Sequence, residues 1–101
     1  MRTIMVRYKT KPGRAEENEL LVKKVFQDLQ SAAPQGVRYA TFKLGDGVSF
    51  VHIASIDTAD GSNPIVESAA FKAFQAEIRD RCDEPPVSAE LTAVGSYNLF
   101  A

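Results

Sequence analysis

The sequence has one cysteine, one histidine and no tryptophan. A lone cysteine, Cys82, excludes an intramolecular disulfide and leaves no thiol cluster for zinc. No apolar run approaches the roughly 20 residues that span a bilayer. The opening MRTIMVRYKT lacks the long apolar core of a secretory leader, so the cytoplasm is the expected compartment. Neither charge sign dominates: 12 Lys and Arg face 13 Asp and Glu, a net charge of −1 with no basic stripe, so neither nucleic acid nor an anionic membrane is an expected partner. P-loop, dinucleotide-binding and nucleophile-elbow patterns are also missing. The short GDG at 45–47 joins two strands and does not lead into a helix. Glu16, Glu17 and Glu19 have no histidine at helical spacing, so neither a metal nor another cofactor is expected.

What is present is an ordinary globular composition. With 45% hydrophobic and 25% charged residues the chain can build a core, and its length predicts one domain over residues 1–101. In RTIMVRYKT, Ile4, Val6 and Tyr8 alternate with Thr3, Met5, Arg7 and Lys9, which is the period of a strand. Val22, Val25, Phe26 and Leu29 then recur at helical spacing and predict a helix over Ala15–Ala32, with glutamates in its early turns. GVRYATFKL and Val48–Ile56, joined by GDG, read as an antiparallel hairpin. Asn63 and Pro64 suit a helix start. Phe71, Phe74, Ile78 and Cys82 predict a second helix over Ser68–Arg81, which DEPP should stop. Val87–Phe100 reads as a last strand, interrupted at Gly95 by a bulge.

The order β-α-β-β-α-β predicts a ferredoxin-like α+β fold with both helices on one face of an antiparallel sheet. The other face should then be polar, yet Met5, Val51 and Ile53 lie on it, and the chain ends in Leu99 and Phe100. A sheet apolar on both sides needs a second cover, and a second copy of the chain is the expected one. With GDGVSFVHIASID, the NPIVESAAFKAFQAEIRDRCDEPP segment and the closing VGSYNLF, the whole chain resembles the dimeric α/β-barrel superfamily, in particular its antibiotic biosynthesis monooxygenase-like branch. The resemblance implies a homodimer of two ferredoxin-like protomers packed sheet to sheet. It also implies a pocket between sheet and helices in which small aromatics or quinols are oxidised without a dedicated flavin or metal. Haem degradation by an Asn, Trp and His set does not fit a chain with no tryptophan.

His52 is in phase with Phe50, Ala54 and Ile56, on the face expected to meet the helices. A neutral imidazole there can take the proton of a phenol or hydroquinone. It can equally be a core histidine whose nitrogens are satisfied by a hydroxyl or carbonyl. Tyr8 and Tyr39 can present hydroxyls to a ligand or serve as core residues with polar tips, and Phe50, Phe71 and Phe74 are the expected apolar wall. Arg7 and Arg38 can grip an anion or form salt bridges. Cys82 lacks the surroundings that activate a thiol and reads as packing. Three functions remain open: a cofactor-independent monooxygenase-like enzyme, a non-catalytic ligand-binding or structural homodimer, and a lyase or isomerase on a small ring. A cavity of roughly 300 Å³ or more favours an active pocket, whereas phenylalanines filling that space favour the second.

Overall fold

The computed structural model describes residues 2–98. Strands β1 (Arg2–Thr10), β2 (Val37–Lys43), β3 (Ser49–Ile56) and β4 (Cys82–Leu91) form one antiparallel sheet in the order β2-β3-β1-β4. Helix α1 (Ala15–Ala32) follows β1 after a 3₁₀ turn at Pro12–Arg14. Three short helices, α2 (Pro64–Glu67), α3 (Ala69–Gln75) and α4 (Ile78–Arg81), carry the chain from β3 to β4. The ferredoxin-like plan is therefore as the periodicities predict, and α1 has the expected bounds.

α1 turns Val22 and Val25 into the core and places Glu16 and Glu17 in its first turn, where carboxylates suit the helix dipole. It ends at Ala33, whose left-handed backbone (φ 45°) lets its N–H reach Leu29 O before Pro34. α1 and the α2–α4 segment cover one sheet face. There Tyr8, Phe50, Val22, Val25, Phe74 and Cys82 form a single buried cluster, each large side chain contributing on the order of 2 kcal/mol through removal from water. The β2–β3 turn is set by Asp46, whose carboxylate accepts from Val48 N, Ser49 N and the Ser49 hydroxyl. Those bonds hold its pKa down at about 2.

Two expectations are corrected. The second helix is not one rod over Ser68–Arg81 but three pieces beginning at Pro64. Ser68 stays extended and caps α3 by accepting from Phe71 N. Ala76 is extended and Glu77 left-handed (φ 63°), which separates α3 from α4. DEPP, expected as a stop between elements, lies inside β4. It is tolerated because β4 is an edge strand bonded only to β1, and because the register shifts between the Arg7–Val87 and Lys9–Glu84 pairs, where the prolines sit. β4 then stops at Leu91, so no strand continues through Gly95. Leu99 and Phe100 lie outside the described residues.

Gly36, ahead of β2, has φ +79°, and its carbonyl accepts from Asp57 N at 2.7 Å. A Cβ built there would stand 2.3 Å from Asp57 O, whereas one at Gly45 meets nothing within 4 Å. Gly36→Ala is expected to lower stability by about 2–3 kcal/mol through left-handed strain and this backbone clash. Gly45→Ala should stay close to wild type. Urea denaturation of the two variants checks the contrast, and equal midpoints would refute it.

Candidate functional site

Alternation along the strands puts Tyr8, His52, Tyr39 and Thr41 on the helix-facing side. In register, His52 lies opposite Val6 on β1 and Thr41 on β2. Tyr8 and Tyr39 stand two residues along, opposite Phe50 and Ala54, and are diagonal neighbours within reach of the imidazole. Tyr8 Oη is 2.8 Å from His52 Nε2. On the other side of the ring, Tyr39 Oη is 2.5 Å and Thr41 Oγ1 3.1 Å from Nδ1. The imidazole is 5% exposed. Burial pushes its pKa down to about 4, because desolvation disfavours the imidazolium. Burial pushes Tyr39 up to about 12. It also raises Tyr8, with the Asn18 hydrogen bond opposing the shift. At neutral pH the cluster is an uncharged imidazole between two uncharged phenols.

Behind Tyr8 the chain of hydrogen bonds continues. Asn18 of α1, fully buried, donates from Nδ2 to Tyr8 Oη at 2.8 Å. Its Oδ1 accepts from Arg81 Nε at 3.3 Å. Arg81 is 1% exposed, and its other hydrogen bonds run to Phe74 O (2.6 Å) and Ala76 O (3.1 Å), carbonyls at the C-terminal end of α3. Its guanidinium also lies 5.4 Å from the Phe74 ring centre. Neither Asn18 nor Arg81 is among the residues singled out from the sequence. Asn18 had a signal, since with Val22 and Val25 it falls at i, i+4 and i+7, a polar side chain on the apolar stripe. Arg81 had none, because its burial depends on the break between α3 and α4.

A cavity of about 230 Å³ opens in front of this cluster. Tyr8, Tyr39 and His52 supply its polar end, and Ile65, Phe71 and Phe74 belong to its apolar wall. It falls short of the roughly 300 Å³ typical of ligand pockets, but an apolar cavity of ~150 Å³ already admits benzene. By that comparison a single aromatic ring fits. Phe71 and Phe74 line the space without filling it. Phe50 is not on the wall; it stacks on Tyr8 at 5.5 Å, as Phe26 stacks on Tyr39 at 5.0 Å. Arg7 and Arg38 alternate to the opposite sheet face, away from the cavity. Cys82 is buried, and burial raises its thiol pKa, in keeping with packing. Among the described residues no group of three or more His, Cys, Asp or Glu could hold a metal ion.

The arrangement belongs to a known structural class. A crystal structure of an antibiotic biosynthesis monooxygenase superimposes with a TM-score of 0.74 at 13% identity, covering 94% of this chain and 100% of that one. A variant of SnoaB, a cofactor-independent oxygenase from Streptomyces nogalater, gives 0.69 at 18% identity over 96% of each chain. Rv0793 from Mycobacterium tuberculosis gives 0.73 at 14% identity, covering 94% of this chain and 96% of that one. The fold is that of the antibiotic biosynthesis monooxygenase domain. No protein-family model and no curated protein sequence matches the chain.

His52 links the site to stability. Above its ordinary pKa of 6.5 the imidazole is neutral folded or unfolded, and its burial carries no protonation penalty. Between pH 6.5 and about 4 only the unfolded chain takes up the proton, so this contribution is lost as pH falls and levels off below 4. The loss is on the order of 3 kcal/mol. Urea titrations at several pH values should show that decline in wild type and a shallower one in His52→Gln. Parallel profiles would count against the buried neutral histidine.

Proposed function

We propose that the chain is a cofactor-independent monooxygenase-like protein that oxidises a small aromatic or quinol in the 230 Å³ cavity. The observation that carries this reading is the neutral His52, held between two tyrosine hydroxyls at the polar end of an apolar space. Both ring nitrogens already have hydrogen bonds, so the imidazole acts through a hydroxyl. A substrate O–H passes its proton to a tyrosine oxygen as that tyrosine passes its own to His52. The substrate anion is electron-rich enough to be oxidised by O₂. A C–O bond forms, the peroxide oxygen takes back the proton, and water leaves with the hydrogen lost from the ring carbon. One oxygen atom stays as a carbonyl and the other becomes water, with all four electrons coming from the substrate. The shared fold with SnoaB, described as a cofactor-independent oxygenase, supports this reading.

A second reading, a ligand-binding or structural homodimer without turnover, is favoured by the complete satisfaction of the imidazole and the modest cavity. Oxygen uptake with a panel of hydroquinones and polyphenols under air separates the two. Under the enzyme reading, folded His52→Ala loses about 10²-fold or more in turnover, and kcat/KM of wild type has its acidic limb near pH 4, not 6.5. Turnover unchanged in the variant removes His52 from the mechanism. No turnover across the panel favours the binding reading.

We further propose that the protein acts as a homodimer in the cytoplasm. The support is the sheet face away from the helices. Met5 pairs with Ile53, and Val51 with Phe42; Phe42 is 54% and Val87 67% exposed. None of the described helices is long and apolar enough to cross a membrane. The expected interface buries roughly 2,000 Å² or more in total. Val51→Lys should dissociate or unfold the dimer, read by light scattering, and a wild-type monomer at micromolar concentration would refute the proposal.

A further inference from the structure

The buried chain from Arg81 to Tyr39 has a direction that follows from what each group can donate. A guanidinium has N–H donors and no acceptor. Arg81 Nε must therefore meet the oxygen of Asn18, and Asn18 is left with only its NH₂ to offer Tyr8. Tyr8 Oη thus accepts from Asn18 and needs an acceptor for its own hydrogen. That acceptor is His52 Nε2, 2.8 Å away. If instead Nε2 carried the proton, Tyr8 would face donors on both sides and its own hydrogen would have no acceptor in the cluster. A neutral imidazole has one N–H, so the proton resides on Nδ1 and is donated to Tyr39 Oη or Thr41 Oγ1.

From this we infer that Arg81 is a positioning residue: acting through Asn18, it fixes the direction of the Tyr8 hydroxyl and thereby the tautomer of His52. The consequence is a choice of route. Nε2 is the free base of the ring, and Tyr8 is its gate. Tyr8 Oη keeps one lone pair after accepting from Asn18, and Tyr8 is on the cavity wall. A substrate hydroxyl can therefore donate to it while Tyr8 delivers its proton to Nε2. Tyr39 faces the already protonated nitrogen and cannot pass a proton inward. Only this consequence for turnover rests on the proposed function; the proton arrangement is read without substrate.

The test is long-range ¹H–¹⁵N NMR of the single imidazole in untagged protein at pH 7. Wild type should show a protonated Nδ1 and a bare Nε2. Arg81→Lys, which keeps a donor, should preserve that pattern. Arg81→Gln can offer an acceptor to Asn18, lets the amide turn over, and should mix the tautomers. Asn18→Asp supplies an acceptor-only carboxylate that satisfies Arg81 and draws the Tyr8 hydrogen to itself, so the tautomer should invert to Nε2–H. A wild-type Nε2–H tautomer, or an unchanged tautomer in folded Asn18→Asp, would overturn the inference. Those two readings decide it even if Arg81→Gln does not fold. With an active substrate, Tyr8→Phe should lose at least about 10-fold more kcat than Tyr39→Phe, and equal losses would overturn the assigned route. Absence of turnover bears on the proposed function, and the tautomer then decides the inference.

Discussion

A histidine removed from water between a sheet and its covering helices needs a partner for each ring nitrogen, because an unsatisfied buried nitrogen costs about 1–3 kcal/mol. His52 meets that demand through side chains that the sheet register delivers to it, Tyr8 from β1 on one side and Tyr39 with Thr41 from β2 on the other. The rest of the interior is arranged around this constraint. Tyr8 in turn needs Asn18, Asn18 is held by Arg81, and Arg81 is held by the last carbonyls of α3. No buried side-chain nitrogen or oxygen among the described residues lacks a partner. A network satisfied throughout rigidifies the site, since no member can move without leaving another unpaired.

The break between α3 and α4 makes sense in these terms. A continuous helix would bond the Phe74 and Ala76 carbonyls within itself. Interrupting it at Ala76–Glu77 leaves those carbonyls facing the interior, where the guanidinium accepts their geometry and the negative end of α3 suits a cation. The left-handed Glu77 is the backbone strain associated with that break. The covering segment thus both walls the cavity, through Ile65, Phe71 and Phe74, and anchors the polar chain behind it.

The cavity has a mostly apolar lining, with the Tyr8, Tyr39 and His52 cluster among its few polar groups. In the proposed function, apolar walls hold a ring by burial, and the Tyr8 and Tyr39 hydroxyls orient whatever O–H or carbonyl it carries. The phenols and the imidazole are all neutral, and the fixed charge of Arg81 acts on Tyr8 from behind Asn18.

By itself the sequence determined the element order, the bounds of α1, the hairpin around GDG and the sheet face on which His52 lies. Each follows from a local period of two or 3.6 residues or from turn chemistry, and these are set by nearest neighbours in the chain. Asn18 was also legible as a polar residue on an apolar stripe. The broken second helix, the strand running through DEPP and the burial of Arg81 were decided by tertiary structure. An edge strand tolerates prolines only because of where it sits in the sheet, and a helix gives up its own hydrogen bonds only when a distant side chain replaces them. Whether His52 stands alone or within a hydrogen-bonded cluster was likewise beyond local pattern. Its partners lie 11 to 44 residues away in the chain and are brought to it by strand register alone.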